Sequence, residues 1–328
     1  MNTRIVLILT TRCNFKCRHC IREYYNKHYD ISFPLLKKSL KEAKELGFNQ
    51  ISLTGGEPIL YPNFNELVDF ISRNNLKWNI LSNGSLYNKY EKSIDKNKSN
   101  LEFISLSLDG ATEKTHDYIR EKGSFKKVIK AAKFYKKKNI KLKISFITNL
   151  KNINEIDKLI DLSKKLHIDS IKIGSVVPTG YNSDLLLTWK QKLLIKKYID
   201  KLKKISEIEI NYTNSLYADT DAEKFCGLLA DPPITINTYG DIIFCCNTVG
   251  QGAVLGNLKN ESLSKLFIKT IKKGVWLKEE RKRRIDNKEF FKGFNSCHYC
   301  NLMLKKNIKK HKDYDKKNKL IVINKNEE

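Results

Sequence analysis

Three thiols stand at Cys13, Cys17 and Cys20, with x3 and x2 spacing, directly behind the apolar run Ile5-Val6-Leu7-Ile8-Leu9. A loop of this kind can wrap three sulfurs around one corner of a cubane iron–sulfur cluster and leave the fourth iron without a protein ligand. An iron left open in that way can bind a substrate. Structural zinc sites usually need four protein ligands in paired spacing, so zinc fits this triplet poorly. The second chemistry-bearing segment is Ile51-Ser52-Leu53-Thr54-Gly55-Gly56-Glu57-Pro58, which reads as a strand running into a glycine turn and then a helix. Paired glycines let the backbone approach a ligand without Cβ contact, and a carboxylate beside them can accept hydrogen bonds from an ammonium group.

Together these residues resemble the Cx3Cx2C and GGEP motifs of the radical SAM superfamily. The resemblance implies that the open iron chelates the amine and carboxylate of S-adenosyl-L-methionine. One electron from the [4Fe–4S] cluster then cleaves the sulfonium, and the resulting 5′-deoxyadenosyl radical abstracts hydrogen from carbon. It places His19 in the same loop, where an aromatic is also usual, and gives Gly55, Gly56, Glu57 and Pro58 the methionyl amine to hold. The stretch Ser105-Leu106-Ser107-Leu108-Asp109-Gly110, followed by His116, Asp117 and Arg120, resembles the family's SxDG…HD…R pattern. By that resemblance Ser107, Asp109 and Arg120 join the cofactor pocket, and a guanidinium suits a carboxylate because it can clamp it in bidentate fashion. Leu81-Ser82-Asn83-Gly84 matches the family's NG loop, placing Asn83 in the pocket, and reads equally well as an ordinary turn. Val177-Pro178-Thr179-Gly180 is expected to line the adenine pocket. A one-electron reductant such as flavodoxin or ferredoxin is the implied partner.

The elements that must position these residues are legible as alternating patterns up to residue 177. Strands are expected at Ile5–Leu9, Gln50–Thr54, Lys77–Ser82, Phe103–Leu108, Lys141–Ile147 and Ser170–Val176, separated by amphipathic stretches. Leu35, Leu36, Leu40, Ala43 and Leu46, ending at Gly47, form one such stretch, and Phe125, Val128, Ile129, Ala132 and Tyr135 another. Six βα units imply an α/β fold, a partial (β/α)6 barrel whose active face is the set of C-terminal strand ends. This core is expected over residues 1–180.

After residue 180 the pattern changes. A linker helix is expected within 181–206 and a small C-terminal α+β iron–sulfur domain over 207–303. That segment has a strand at Glu207–Tyr212 and a hairpin, Ile234–Tyr239 and Asp241–Phe244, turning at Gly240. Cys226, Gly240, Cys245, Cys297 and Cys300 resemble the first part of the SPASM domain, in the shortened form called Twitch. The resemblance implies a second, fully ligated [4Fe–4S] cluster on Cys226, Cys245, Cys297 and Cys300, with four-thiolate zinc as the alternative. Cys246 is left over. It is a candidate hydrogen donor to a substrate radical or a small buried hydrophobe, and strand alternation turns it away from whatever Cys245 binds.

Composition bounds the rest. The 328-residue chain can bury a sizeable core, and its net charge of +26 comes with lysines spread throughout. That charge reads as solvated surface rather than a nucleic-acid footprint, since no arginine-rich or aromatic-interleaved basic motif stands out. Residues 304–328 read as a basic, solvated tail. No segment has membrane-spanning length and the N-terminal apolar run is too short for a signal peptide, so a cytoplasmic protein is expected. The substrate class expected from the resemblance is a ribosomally made peptide, receiving a crosslink, thioether or epimer. A first strand near residue 4 leaves no room for an N-terminal leader-binding domain, which weighs against that class. Dehydrogenation of a sugar or aminocyclitol is the alternative; an RNA-modifying enzyme and a non-catalytic iron–sulfur electron carrier are the readings from other classes.

Overall fold

The computed structural model describes residues 4–21, 28–177, 182–213, 233–245 and 254–286. Ten strands form one sheet: β1 Arg4–Ile8, β2 Gln50–Thr54, β3 Lys77–Ser82, β4 Leu101–Ser107, β5 Leu142–Thr148, β6 Ser170–Ser175, β7 Glu209–Tyr212, β8 Ile234–Ile236, β9 Asp241–Ile243 and β10 Val254–Asn257. Their order is β10-β9-β8-β1-β2-β3-β4-β5-β6-β7. The pairings from β8 through β7 are all parallel, while β9 and β10 run antiparallel at one edge. Among the described residues the sheet does not close on itself, as a partial barrel requires.

Alternation along β5 shows how this sheet is built. Leu142, Ile144 and Phe146 are buried, and they share a core cluster with Val128, Ala131, Ala132 and Tyr135 of α5 (Ser124–Lys137). Between them Lys143, Ser145 and Ile147 are only partly covered and belong to the opposite, concave face. The helices α1 (Phe33–Glu45), α2 (Phe64–Arg73), α3 (Glu91–Lys96), α4 (Glu113–Ile119), α6 (Ile156–Lys165) and α7 (Trp189–Ile205) supply the crossovers. In α7 the start is fixed by a capping box, Thr188 Oγ1 accepting from Gln191 N while the Gln191 side chain accepts from Thr188 N.

Two features differ from the sequence expectation. The strand expected to open the C-terminal segment is β7, and it pairs parallel with β6, so the run β1–β6 gains a seventh parallel strand through a sixth crossover. The expected hairpin is β8–β9, turning at Gly240 with φ of +83°, and β8 pairs parallel with β1. Both edges of the six-stranded sheet thus receive partners from the C-terminal segment, satisfying backbone groups that would otherwise stay open. The long helix α8 (Leu263–Asp286) packs Phe267 against Phe48 at 5.0 Å between ring centroids, and Ser264 N donates to Glu42 Oε1 at 2.9 Å. Cys226, Cys246, Cys297, Cys300, residues 178–180 and the tail 304–328 lie outside the described residues.

Candidate active site

The cysteine loop leaves β1 at the C-terminal edge of the parallel sheet and is tied down from several sides. Gly56 N donates to Thr10 O at 2.7 Å and Glu57 N to Arg12 O at 2.8 Å, so the GGEP turn is zipped along the start of the loop. A Cβ built on Gly56 would lie 2.2 Å from Arg12 O, so the glycine is required by the approach of protein backbone. Arg12 Nε donates to Asp30 Oδ2 at 2.9 Å, Phe15 is buried at 7% exposure, and Arg18 N donates to Ile119 O at 2.9 Å. Asn83 Nδ2 donates to Asn14 Oδ1 at 3.0 Å, and Asn14 Nδ2 to Ser85 Oγ at 2.8 Å, which joins the NG loop to the cysteine loop. Replacing Gly56 by Ala is expected to cost about 1–3 kcal/mol and to displace the loop. Thermal unfolding of the apoprotein and iron content after reconstitution would both fall; unchanged values would show that the approach is not tight.

Beneath the loop lies a buried polar hub. Asp109, fully buried, accepts from Ile147 N at 2.7 Å through Oδ1. Its Oδ2 lies 2.6 Å from Arg120 Nε and 3.3 Å from His19 Nε2. Burial pushes the Asp109 carboxyl up, but Arg120 and then His19, with the Ile147 N–H, outweigh it and hold the group below its ordinary value. Burial lowers His19 to about 4 and His116 to about 3, so both imidazoles are neutral near pH 7. His116 Nδ1 accepts from Asp109 N at 3.1 Å, and Asn152 Nδ2 donates to Asp109 O at 2.9 Å. Arg120 Nη1 reaches Cys17 Sγ at 4.0 Å.

Cys13 is exposed and Cys17 and Cys20 are partly buried. Burial, then Cys20 and Cys13, raise the Cys17 thiol to about 12 against the pull of Arg120, so the three sulfurs are electrostatic neighbours. Among the described residues no three His, Cys, Asp or Glu side chains converge as ligands of a single metal ion. Three neighbouring thiols on one loop suit a cubane, in which each thiolate binds a different iron.

Glu57 is 1% exposed, with Oε1 accepting from Ser82 Oγ at 2.8 Å and Ile59 N at 3.4 Å and Oε2 from Asn83 N at 2.8 Å. A carboxylate has about four acceptor positions, so one remains on Oε2 for an amine N–H. Burial raises Glu57 to about 7 despite the lowering effect of Asn83, Ser82 and Ile59. With the native pKa raised, this group's contribution to stability is complete below its ordinary 4.5 and is lost as pH rises through about 7. Accepting hydrogen bonds from the cofactor's amine has the opposite preference and favours the anion. Binding of S-adenosylmethionine is therefore expected to release a proton and to be weaker at pH 6 than at pH 8 by about tenfold. Calorimetry in buffers of different ionisation enthalpy measures both effects; equal affinities at the two pH values would remove Glu57 from the pocket.

Of the other expected pocket residues, Pro58 opens a buried 3-10 turn, and Ser107 ends β4, 7% exposed and in register with Ser145. Val177 is buried at the end of the β6 segment. Sequence reasoning missed Ser82, Asn14 and Asn152. The first two stand inside motifs already singled out, whereas Asn152 carries no local signal.

Residues 7–163 match the model of the Radical SAM superfamily. The chain is 26% identical over 277 residues to the antilisterial bacteriocin subtilosin biosynthesis protein AlbA of Bacillus subtilis (strain 168), covering 82% of this chain and 60% of AlbA. It is 25% identical over 290 residues to a probable GTP 3′,8-cyclase of Methanococcus maripaludis, covering 81% of this chain and 92% of that protein. Among solved structures, Streptococcus suis SuiB bound to S-adenosylmethionine shares the fold with a TM-score of 0.68 at 18% identity, over 81% of this chain and 65% of SuiB. The chain thus spans less than two thirds of the length of AlbA and of SuiB. With the motif residues gathered at one end of the sheet and the match running through them, residues 7–163 form a radical SAM domain.

Proposed function

We propose that this enzyme takes hydrogen from a carbon of a ribosomally made peptide, leading to a crosslink, thioether or epimer. The family's cofactors are a [4Fe–4S] cluster and S-adenosylmethionine. When bound, they supply reductive cleavage of a sulfonium and hydrogen abstraction from carbon. Cys13, Cys17 and Cys20 would hold the cluster. Glu57, with Gly55, Gly56 and Pro58 shaping its turn, would accept hydrogen bonds from the amine, and Ser107, Asn83 and Arg120 would hold the rest of the cofactor. Asp109 acts through Arg120 and His19, which it keeps in place.

A second [4Fe–4S] cluster on Cys226, Cys245, Cys297 and Cys300, within residues 207–303, is part of this proposal. Of these ligands Cys245 is described. It is partly exposed and follows β9, which runs antiparallel to β8 and hence to β1, so it leaves the sheet at the end opposite the Cys13–Cys20 loop. A one-electron reductant such as flavodoxin or ferredoxin completes the set. Among the described residues no helix is long and apolar enough to cross a membrane.

The observation that carries the peptide reading is the likeness to AlbA, a bacteriocin biosynthesis protein, over 82% of this chain. SuiB, which shares the fold, has been solved with the precursor peptide SuiA. The likeness to the probable GTP cyclase, spanning 92% of that protein, favours a nucleotide substrate as the second reading. The test is to incubate the anaerobically reconstituted enzyme with peptides encoded beside its gene, and separately with GTP, in deuterated water. Loss of hydrogen from a peptide, or deuterium at one α-carbon, supports the first reading. Consumption of GTP with every peptide unchanged overturns it.

A further inference from the structure

The exposed side of the cysteine loop carries an aromatic contact that neither the fold nor the cofactor pocket uses. Arg18, between Cys17 and Cys20, is exposed and places its guanidinium carbon 4.1 Å from the centre of the Tyr118 ring. Lys151 Nζ stands 5.9 Å from the same ring, Tyr118 is 41% exposed, and Leu150, next to Lys151 in the chain, is 42% exposed. A half-exposed tyrosine within reach of two cations presents flat area and positive charge at little entropic cost, the composition of an interface anchor. Lys16 adds a third cation on the loop, while the acid nearest to it, Glu121, accepts from Lys16 N at 3.4 Å. Of the other acids of this region, Asp117 accepts from Gly123 N, Ser124 Oγ and Phe125 N, Glu113 is exposed and pairs with Lys126 at 3.0 Å, and Asp109 is buried.

We propose that Lys16, Arg18, Tyr118, Leu150 and Lys151 form the docking face for an acidic one-electron carrier protein that reduces the cluster on Cys13, Cys17 and Cys20. Net charge of +26 makes much of the surface attractive to an acidic protein, so charge alone does not select a site. What selects this face is continuity: Arg18 N donates to Ile119 O at 2.9 Å, which fixes the aromatic patch to the loop that bears the thiols. The step makes and breaks no bond to the protein. A flavin hydroquinone on the carrier gives up one electron and becomes the semiquinone, and the cluster is reduced by one.

This inference rests on the radical SAM reading, and the test separates the two. Full-length, anaerobically reconstituted protein is mixed in a stopped-flow instrument with an acidic flavodoxin photoreduced to its hydroquinone, and bleaching of the cluster absorbance is followed. Lys151→Glu and Tyr118→Ala are expected to slow this reduction about tenfold or more, and Lys151→Glu to flatten its dependence on ionic strength. Reduction by photoexcited deazaflavin, which needs no docking, should be the same in all three proteins. Flavodoxin reduction that is equally fast in the variants and the unmutated protein overturns the docking face alone. A cluster that deazaflavin also fails to reduce overturns the radical reading and the docking face with it.

Discussion

Replacing Cys13, Cys17 and Cys20 together by Ala is expected to remove one of two [4Fe–4S] clusters and all conversion of S-adenosylmethionine to 5′-deoxyadenosine. The cluster of the C-terminal segment should remain, because its proposed ligands are other cysteines and Cys245 leaves the sheet at the opposite end. Iron and sulfide analysis with electron paramagnetic resonance measures the first effect, and chromatography of the nucleosides the second. If the unmutated protein holds a single cluster together with stoichiometric zinc, the second-cluster assignment fails. If the triple variant still cleaves the cofactor, the loop is not the radical-generating centre.

The second large effect is expected at Asp109. Asp109→Asn keeps the shape of the side chain but leaves the guanidinium of Arg120, 10% exposed, without the carboxylate that lies 2.6 Å from its Nε. Breaking a buried ion pair from one side costs about 3–5 kcal/mol, because the remaining charge is left desolvated and unpaired. Urea denaturation of the apoprotein should show a loss of that size. A loss below about 1 kcal/mol would mean that water reaches the pair. Arg120 also contacts Cys17 Sγ, so the variant should in addition reconstitute its loop cluster less completely.

The chemistry was legible in the sequence because its signals are local. Cys13, Cys17 and Cys20 point by their spacing to a site that could hold a cluster, and Gly55-Gly56-Glu57 to a close backbone approach. The structure adds that the approach is to Arg12 O of the cysteine loop, a contact between segments that spacing cannot register. Strands with short apolar runs were equally legible, and Gln50–Thr54 and Lys77–Ser82 fall where the pattern puts them. The hub was not. Asp109 reads as the aspartate of a motif, yet its partners come from the cysteine loop, from α4 and its C-terminal cap, and from the residues around β5. Nothing near Glu57 announces that Ser82, 25 residues away, will donate to it.

The placement of the C-terminal strands was illegible for a related reason. Ile234–Ile236 reads as a strand on its own residues, but its neighbour is decided by which sheet edge is still open once β1–β6 have paired. In Leu263–Asp286 the charged stretch 278–284 reads as a helix surface, whereas the contacts of the first turns with Glu42 and Phe48 are long-range. Packing against α1 and β10 supplies what the pattern lacks.

The most direct test of the account is the formation of 5′-deoxyadenosine from S-adenosylmethionine by the full-length, anaerobically reconstituted chain under dithionite, without added substrate, followed by mass spectrometry. Slow but steady formation is expected, abolished in Cys17→Ala. A fully iron-loaded protein that binds S-adenosylmethionine yet forms no 5′-deoxyadenosine would contradict the assignment of these residues to radical generation.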